Sequence, residues 1–566
     1  MLRFSISQLF MSQREAKSMN QPLRGADIVM RVLQRAGHDT IFTLSGNHIM
    51  SLFDAAIGTS IDLVHTRHEA AAVHAADAWG RLTGKPGIAM VTGGPGHANA
   101  AAALMTALGQ ESPVVLLSGH TETTQLGRGG FQELRQAEMA APVSKASWTA
   151  SAAETLGADV AKAIRIASSG RPGPVHLSLP SDLLDAHVAD NAVAWPEPAD
   201  FSPAPVALND AAADATLGII AAASRPLLIA GPHLANRSGR ALLARLETVL
   251  QVPTCIMESP RGFNDATLGA FNDLIRRVDL IILLGKAFDF TLKFGAAPWI
   301  DPACRFIAID PEGALVERAA RETGARFAFG CVADTHPAGD TLLRRAASRT
   351  IGGAAWLAEA RAAFASRPDS WPSLASQTPG KLHAIEVFRA LKPFVERDPD
   401  TVLICDGGEF AQWGQSVLPV PPRRMINGVG GSIGSSLPMA IASRLVEPKA
   451  PVFAVLGDGT FGFHMAEFET AARRKLPFVA VVGTDARWNA EYNLQVRDYG
   501  RDRAVGCELT PARYDLVAVA LGGHGELVEK PEDMAGAIER SLASGKPACI
   551  NVMVESIPSP VVRRPA

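Results

Sequence analysis

Short hydrophobic runs alternate with longer amphipathic stretches along the chain from Leu23 onward. The runs have the length of strands and are rich in valine, isoleucine and leucine, whereas the stretches between them are rich in alanine and repeat apolar residues at helical spacing. Strands that are hydrophobic along their whole length are typical of parallel sheets whose two faces are covered by helices. The pattern therefore predicts an α/β protein built from βαβ units.

The runs with the strongest strand character fall into three groups. Their sequences are LVHT, GIAMVT, PVVLLS and PVHLSL, then PLLIAG, VDLIILLG and CRFIAID, then TVLICD, PVFAVLGD, FVAVVGTD and ACINVMV. Proline-rich segments separate the groups, and 566 residues are too many for one hydrophobic core. We therefore predict three domains, each a mostly parallel sheet flanked by helices. The predicted boundaries are an N-terminal tail at 1–22, a first domain at 23–190, a central domain at 205–345, a linker at 346–380 and a third domain at 381–566.

Composition narrows the choice of partners. The net charge is −3, and no stripe of lysine and arginine with interleaved aromatic residues is present, so nucleic acid is not expected as a partner. No apolar run is long enough to cross a bilayer, so no membrane-spanning segment is expected. The six cysteines are scattered without CxxC pairs, which predicts a reducing, cytoplasmic location. Residues 1–20 faintly resemble a transit peptide, and we interpret them as a disordered tail or as residues ahead of a later start codon.

Two carboxylates follow neighbouring predicted strands of the third domain. One strand ends in Gly457, Asp458 and Gly459, and the next ends in Thr484 and Asp485. Because the carboxyl ends of parallel strands meet at one edge of a sheet, we expect the two aspartates to lie close together. Carboxylate oxygens are hard ligands that suit Mg²⁺, and glycines let the backbone approach a phosphate closely. The pattern therefore predicts a site for a metal and a phosphate.

The third domain resembles the thiamine-diphosphate enzymes of the acetolactate synthase type, whose signature is GDG followed at a set distance by two asparagines. The resemblance implies that Asp458, Asp485 and the backbone of Arg487 hold Mg²⁺, and that Gly457, Gly459 and Thr460 contact the cofactor. Thr484 and Asp485 replace the two asparagines of the family. The added charge should tighten Mg²⁺ and repel the diphosphate somewhat. The alternative is that Asp485 only caps the next helix.

The resemblance extends to the rest of the third domain. In NGVGGSIGSSLPMAIA, it implies that Gly431 faces the aminopyrimidine and that Ile433 is the apolar wedge that bends the cofactor. In ICDGGEFAQWGQ, it implies that Gly408, Glu409 and Phe410 form the diphosphate loop, although the family usually has glutamine and histidine at the last two positions. The alternative for the first segment is a glycine-rich helix start with an ordinary core isoleucine.

The first domain resembles the other half of the cofactor site. The segment HTRHEAAA places Glu69 where a strand turns into a helix, and the family's activating glutamate occupies that point. Taken alone, Glu69 would be interpreted as a first-turn charge that satisfies the helix dipole. The implied pyrimidine-side contacts are two loops: Gly46 and Asn47 in TLSGNHIM, and Gly94, Pro95, Gly96 and Asn99 in VTGGPGHANA.

The resemblance covers the chain from about Leu23 to Val554, and it implies the thiamine-diphosphate-binding fold with a central Rossmann-like domain. Phe131 and Gln132 match the family's loop near the substrate. The sequences TLSGNHIM and GTDARW are most similar to those of 2-hydroxyacyl-CoA lyases, so we expect a carbon–carbon lyase or carboligase that acts on a 2-hydroxyacyl-CoA or a 2-oxo acid. A true acetolactate synthase acting on pyruvate is the alternative, and a non-catalytic regulatory relic is an alternative of another class.

The family also implies further partners for the chain. The central domain could hold FAD or the ADP moiety of a coenzyme, with Asp310 of AIDPEG meeting a ribose, although this aspartate could equally end a strand in a turn. The cofactor of the family bridges the first domain of one subunit and the third domain of another. A homodimer or homotetramer is therefore expected.

Overall fold

The computed structural model describes residues 22–347 and 351–562. Three predominantly parallel sheets flanked by helices confirm the predicted α/β class. The predicted N-terminal tail lies outside the described residues, apart from Pro22. Within the described ranges, no helix is both long and apolar enough to cross a bilayer.

The first domain contains a six-stranded parallel sheet and a short antiparallel pair. The pair joins β1 (Leu23–Arg24) to β8 (His187–Val188). The sheet has the order β3-β2-β4-β5-β7-β6 and consists of β2 (Thr40–Thr43), β3 (Asp62–His65), β4 (Gly87–Val91), β5 (Val114–His120), β6 (Ala146–Thr149) and β7 (Pro174–Pro180). The helices are Gly25–Arg35, Met50–Ala56, Glu69–Thr83, Pro95–Gly109, Gln136–Ala140, Leu156–Ser168 and Ser181–Asp185.

The central domain contains a five-stranded parallel sheet of the order β10-β9-β11-β12-β13. Its strands are β9 (Pro226–Ala230), β10 (Thr254–Ile256), β11 (Leu280–Leu284), β12 (Arg305–Asp310) and β13 (Phe327–Val332). Its helices are Asp210–Ala221, Arg237–Leu250, Phe271–Ile275, Gly313–Thr323, Thr335–Ala346 and Ala354–Ala365. This strand order is one of the two common orders of doubly wound folds.

The third domain contains another six-stranded parallel sheet, of the order β15-β14-β16-β17-β19-β18. Its strands are β14 (Val402–Asp406), β15 (Arg423–Ile426), β16 (Val452–Gly457), β17 (Val479–Thr484), β18 (His524–Val528) and β19 (Ala548–Met553). Its helices are Ala384–Glu396, Glu409–Val417, Ser436–Val446, Asp458–His464, Glu467–Arg474, Asn489–Tyr499, Tyr514–Ala520 and Met534–Ala543.

The first and third sheets have the same topology. In each, the strands counted along the chain from β2 or from β14 lie in the order second, first, third, fourth, sixth, fifth. The helix that follows the second strand is Glu69–Thr83 in the first domain and Ser436–Val446 in the third, and these two helices pack against each other. Both carry many small residues, which let helices approach closely. The first and third domains consequently share one hydrophobic core, which includes Phe42 and Phe461.

The segment predicted as a linker at 346–380 contains an ordered helix, Ala354–Ala365. Its Trp356 is buried in the core of the central domain, and the indole Nε1 donates a hydrogen bond to the carbonyl oxygen of Pro226 at 2.8 Å. This helix therefore packs as part of the central domain.

Candidate active site

A cavity of about 240 Å³ opens at the carboxyl ends of the third-domain strands. Parallel strands direct the loops that follow them to this edge, where open α/β sheets bind their ligands. Every third-domain residue that the sequence predicted for cofactor or metal binding lines it: Gly408, Glu409, Phe410, Gly431, Ile433, Gly457, Asp458, Gly459, Thr460, Asp485 and Arg487. The structure therefore brings together residues from four separate loops.

Asp458 and Asp485 face this cavity from neighbouring strands. Strands β16 and β17 pair in parallel with Gly457 opposite Gly483, which places both aspartates just beyond the paired ends. The Asp458 carboxylate accepts hydrogen bonds from the backbone N–H of Gly459 and of Ala486, each at 2.8 Å. The Asp485 carboxylate accepts one from the N–H of Arg487 at 3.1 Å. Both side chains are thus held by the backbone of the loops that carry them.

The electrostatics of the pair favour a cation. Burial raises the pKa of Asp458 to about 6. Burial, together with the nearby charge of Asp458, raises the pKa of Asp485 to about 7. Two buried carboxylates that repel each other are stabilised in their charged form by a divalent cation. No cluster of three or more histidine, cysteine or acidic side chains with metal-binding geometry occurs in the described part of the chain, so the other ligands would be backbone, water or phosphate oxygens.

The backbone around the carboxylates leaves room for a bound group. A Cβ added to Gly431 or to Gly457 would meet no atom within 4 Å, so both glycines border open space. Gly431 has a φ of +70°, a conformation that glycine adopts without strain. The residues present therefore fit a diphosphate and a divalent cation.

Asp406 fixes the loop that carries Gly431 and Ile433, and sequence reasoning missed it. It is fully buried at the end of β14, and its Oδ2 accepts hydrogen bonds from the N–H groups of Gly434 at 3.1 Å and Ser436 at 2.8 Å. Burial raises the pKa of Asp406. An aspartate that directly ends a hydrophobic strand was the available signal.

Glu409 and Phe410 line the cavity but are bound within the protein. The Glu409 carboxylate accepts a hydrogen bond from the N–H of Ser559 at 2.8 Å and lies 3.8 Å from the guanidinium of Arg261. The ring of Phe410 packs against Phe388, with 4.8 Å between ring centroids. These contacts hold the loop in place. Gly408, which directly precedes the two residues, lines the cavity with them.

Other cavity residues were also missed from the sequence. Pro260 and Arg261 reach the cavity from the central domain, and Trp488 lines it from the loop after β17. A Cβ on Gly459 would lie 2.6 Å from the Trp488 ring, so the glycine is required for this close approach. No local motif marks Arg261, because its position depends on how two domains pack.

The first-domain residues form a second group around Glu69. This glutamate begins the helix Glu69–Thr83 after β3, and its Oε2 accepts a hydrogen bond from Nδ2 of Asn99 at 3.0 Å. A Cβ on Gly96 would lie 3.4 Å from the other oxygen, Oε1. The glutamate and the glycine-proline-glycine turn are therefore adjacent, and their roles toward a cofactor stay a prediction.

The loop that contains Phe131 and Gln132 covers this turn. Gly94 has a positive φ of +59°, and a Cβ added to it would lie 2.5 Å from the carbonyl oxygen of Gln132. Pro95 begins the helix Pro95–Gly109. Phe131 is 63% exposed, and its ring stacks on His48, with 5.8 Å between centroids.

Gly46 and Asn47 lie beside the same turn. A Cβ added to Gly46 would lie 2.4 Å from the side chain of Thr92, whose hydroxyl accepts a hydrogen bond from the N–H of His48 at 3.3 Å. Asn47 is exposed at the start of a short 3-10 helix. All the predicted first-domain site residues thus belong to one set of neighbouring loops.

The two groups do not line a common cavity within one chain. Among the described residues, none of the predicted first-domain site residues borders the third-domain cavity. The residues around Glu69 and those around Asp458 are thus two separate candidate half-sites in one chain.

The central domain does not present a free carboxylate to a nucleotide ribose. Asp310 ends β12, and its carboxylate binds Nε and Nη2 of Arg171, the latter at 2.9 Å. Arg171 also donates to the carbonyl oxygen of Gly285 at 2.7 Å and binds Glu111. A Cβ on Gly231 would lie only 1.9 Å from the Gly285 oxygen, so the loops after β9 and β11 touch. The Asp310 carboxylate is thus not free for a ribose, but a cavity of about 360 Å³ opens at the same edge of the central sheet, next to His233, Asn236 and Thr335.

Two family models match the two parts of the chain that carry the candidate site residues. The family model for the N-terminal TPP binding domain of thiamine pyrophosphate enzymes matches residues 23–139, and that for the C-terminal TPP binding domain matches residues 406–552. The first match contains Glu69 and Asn99, and the second contains Asp458 and Asp485.

Individual relatives are similar along almost the whole chain. A probable acetolactate synthase of Mycobacterium bovis is 32% identical over 94% of this chain and 96% of its own length. The 2-hydroxyacyl-CoA lyase 2 of Homo sapiens is 28% identical over 94% of this chain and 90% of its own length. The 2-hydroxyacyl-CoA lyase 2 of Danio rerio is 28% identical over 94% of this chain and 92% of its own length. The chain belongs to the thiamine pyrophosphate enzymes, in the family that contains acetolactate synthases and 2-hydroxyacyl-CoA lyases, and its two TPP-binding domains contain the two groups of candidate residues.

Proposed function

We propose that the protein is a thiamine-diphosphate- and Mg²⁺-dependent carbon–carbon lyase or carboligase that acts on a 2-hydroxyacyl-CoA or a 2-oxo acid. The observation that carries this proposal is the convergence of Asp458 and Asp485 in one glycine-lined cavity. Mg²⁺ would be held by the two carboxylates and the backbone carbonyl of Arg487. The diphosphate would lie against Gly408, Gly457, Gly459 and Thr460.

Glu69 is the proposed proton-handling group. When bound, thiamine diphosphate would supply a nucleophilic thiazolium carbon for addition to a carbonyl and a ring that can accept the electron pair of a broken carbon–carbon bond. Glu69 would hold a proton against the ring nitrogen of the pyrimidine through one oxygen, while Asn99 binds the other. Ile433 would keep the two rings of the cofactor bent toward each other, so that proximity assists the proton transfer.

The two half-sites support a homodimer or homotetramer as the active form. The residues of each half lie in separate places in one chain, so a second copy would supply the missing half at each cavity. FAD or an ADP moiety would lie in the cavity of about 360 Å³ beside the central sheet, since Asp310 is bound to Arg171.

The first substrate class that we propose is a 2-hydroxyacyl-CoA, which would be cleaved to an aldehyde and formyl-CoA. Sequence similarity of TLSGNHIM and GTDARW to 2-hydroxyacyl-CoA lyases supports it, and the exposed Phe131 leaves the first-domain half-site open to a large substrate. Pyruvate, giving acetolactate, is the second candidate, because relatives named acetolactate synthase cover almost the whole chain. A few side chains near the reacting carbon decide between such substrates.

One experiment tests both candidates. The purified protein is supplied with thiamine diphosphate and Mg²⁺ and is given a 2-hydroxyacyl-CoA in one reaction and pyruvate in another. Formyl-CoA in the first reaction supports the lyase, and acetolactate in the second supports the synthase. Exchange of the thiazolium proton for deuterium is measured in parallel. If neither product forms and the protein does not accelerate this exchange, the chain is a non-catalytic relic and the proposal is wrong.

A further inference from the structure

The helix Glu467–Arg474 of the third domain holds the segment that leads into Glu69. The guanidinium of Arg473 donates to the carbonyl oxygen of His65 at 2.7 Å, and Arg474 forms an ion pair with Asp62. Both contacted residues lie in β3, which directly precedes the turn before Glu69. The helix Glu467–Arg474 of the third domain therefore contacts β3 of the first domain at two residues.

Glu467 contacts the backbone two residues before Glu69. The backbone N–H of Arg67 donates a hydrogen bond to Oε1 of Glu467 at 2.9 Å. Glu467 is only 1% exposed, and burial raises the pKa of its carboxyl. A buried carboxyl group needs hydrogen-bond partners, and an amide that binds it is firmly fixed. Glu467 therefore fixes the backbone two residues before the activating glutamate.

The same contact region adjoins the metal half-site. The helix Asp458–His464 begins at the proposed metal ligand and ends shortly before Glu467. Nδ1 of His464 lies 2.6 Å from the carbonyl oxygen of Gly434, in the loop of Ile433. The His464 ring also contacts His68, which caps the helix of Glu69, with 5.7 Å between centroids.

We propose that Glu467 is a positioning residue for Glu69. By binding the Arg67 amide, it sets the orientation of the turn at residues 67–69 and thereby the place where the Glu69 carboxyl meets the cofactor. This inference rests on the proposed thiamine-dependent function. Arg474 contacts the same two domains, but farther from Glu69. If Glu467 served only to pack the two domains together, replacing either residue would have the same effect.

The experiment compares Glu467→Leu, Glu467→Gln and the matched control Arg474→Ala in the full-length protein. The first readout is deuterium uptake by backbone amides of the peptide that contains Arg67, measured by mass spectrometry with and without thiamine diphosphate and Mg²⁺. The second is the rate of thiazolium proton exchange in the bound cofactor, and the third is the dissociation constant of the cofactor.

We expect Glu467→Leu to speed deuterium uptake at the Arg67 peptide and to slow thiazolium exchange at least tenfold, while the cofactor dissociation constant changes less than threefold. Glu467→Gln retains an acceptor oxygen and should restore both properties. Arg474→Ala should exchange its thiazolium proton at the parent rate.

Two results would overturn the inference: exchange at the parent rate in a folded Glu467→Leu protein, or equal slowing in Arg474→Ala. If Glu467→Leu does not fold, the same measurements are made on Glu467→Ala, with the same expected results. The amide protection of the Arg67 peptide is then compared with that in Glu467→Gln. A parent protein that shows no accelerated exchange contradicts the proposed function itself, and this outcome is distinct from the other two.

Discussion

Asn99, in the helix Pro95–Gly109, binds Glu69, the first residue of the helix Glu69–Thr83, with 3.0 Å between Nδ2 and Oε2. This hydrogen bond leaves the other carboxyl oxygen, which lies beside Gly96, for a second partner. A side-chain amide that engages one oxygen fixes the direction in which the other can exchange a proton. We therefore expect replacement of either Asn99 or Glu69 to lower turnover.

Replacing Asn99 by alanine should lower turnover about tenfold to a hundredfold, because a hydrogen bond to a charged group contributes roughly 1.5–3 kcal/mol. The cofactor dissociation constant should change little. Steady-state kinetics with saturating cofactor measure the first effect and titration calorimetry the second. Asn264→Ala, at an exposed asparagine far from Glu69 in the sequence, is the control and should retain parent activity.

Glu69→Gln should leave cofactor binding largely intact and reduce turnover severely, by about a hundredfold or more, because general acid–base catalysis contributes that much. The measurement is kcat with saturating cofactor, together with the exchange rate of the thiazolium proton. Turnover near the parent rate would show that another group handles the proton.

Asp485→Asn removes one of two buried carboxylates that repel each other. The protein without metal should become more stable by roughly 1–3 kcal/mol, because an uncompensated buried charge is removed. Stabilisation by Mg²⁺ should shrink at the same time, since the cation loses a charged ligand. Thermal unfolding in EDTA and at rising Mg²⁺ measures both effects. An unchanged response to Mg²⁺ would place the metal elsewhere.

Mixed dimers test whether two chains build each active site. Neither Glu69→Gln nor Asp458→Ala should be active alone. When the two chains are coexpressed and purified through two different tags, each mixed dimer should contain one intact site and regain about half of the parent activity per dimer, an expectation that follows from twofold symmetry. If each site is built from one chain, every site carries one defect and no activity returns.

Much of the fold follows from the hydrophobic pattern, because buried parallel strands such as β11 and β16 are apolar at nearly every position. The strands that the pattern missed include the edge strands β6, β10, β13, β15 and β18. Edge strands are short or only partly buried, as in β6, whose residues are all of intermediate exposure. Polar residues interrupt the apolar run in β15 and β18, whereas β13, of sequence FAFGCV, was missed although it is largely apolar. The short strand β2 was also missed, although it lies inside the sheet.

The sequence places its third-domain candidates directly after predicted strands, and these residues line one cavity at that edge of the sheet, while their roles stay a prediction. Glycines and aspartates at strand ends make such loops visible in a sequence. Arg261 and Glu467 could not be found in this way. Their positions depend on contacts between domains that are distant in the chain, and no local pattern encodes such contacts.

The single core shared by the first and third domains also affects how the molecule unfolds. The helices Glu69–Thr83 and Ser436–Val446 bury their small-residue faces against each other, so separating the two domains would expose apolar surface on both. These domains should consequently melt together as one cooperative unit, to which the central domain is tied by the buried ion pair of Arg171 with Asp310. Loss of either half-site by denaturation would then entail loss of the other.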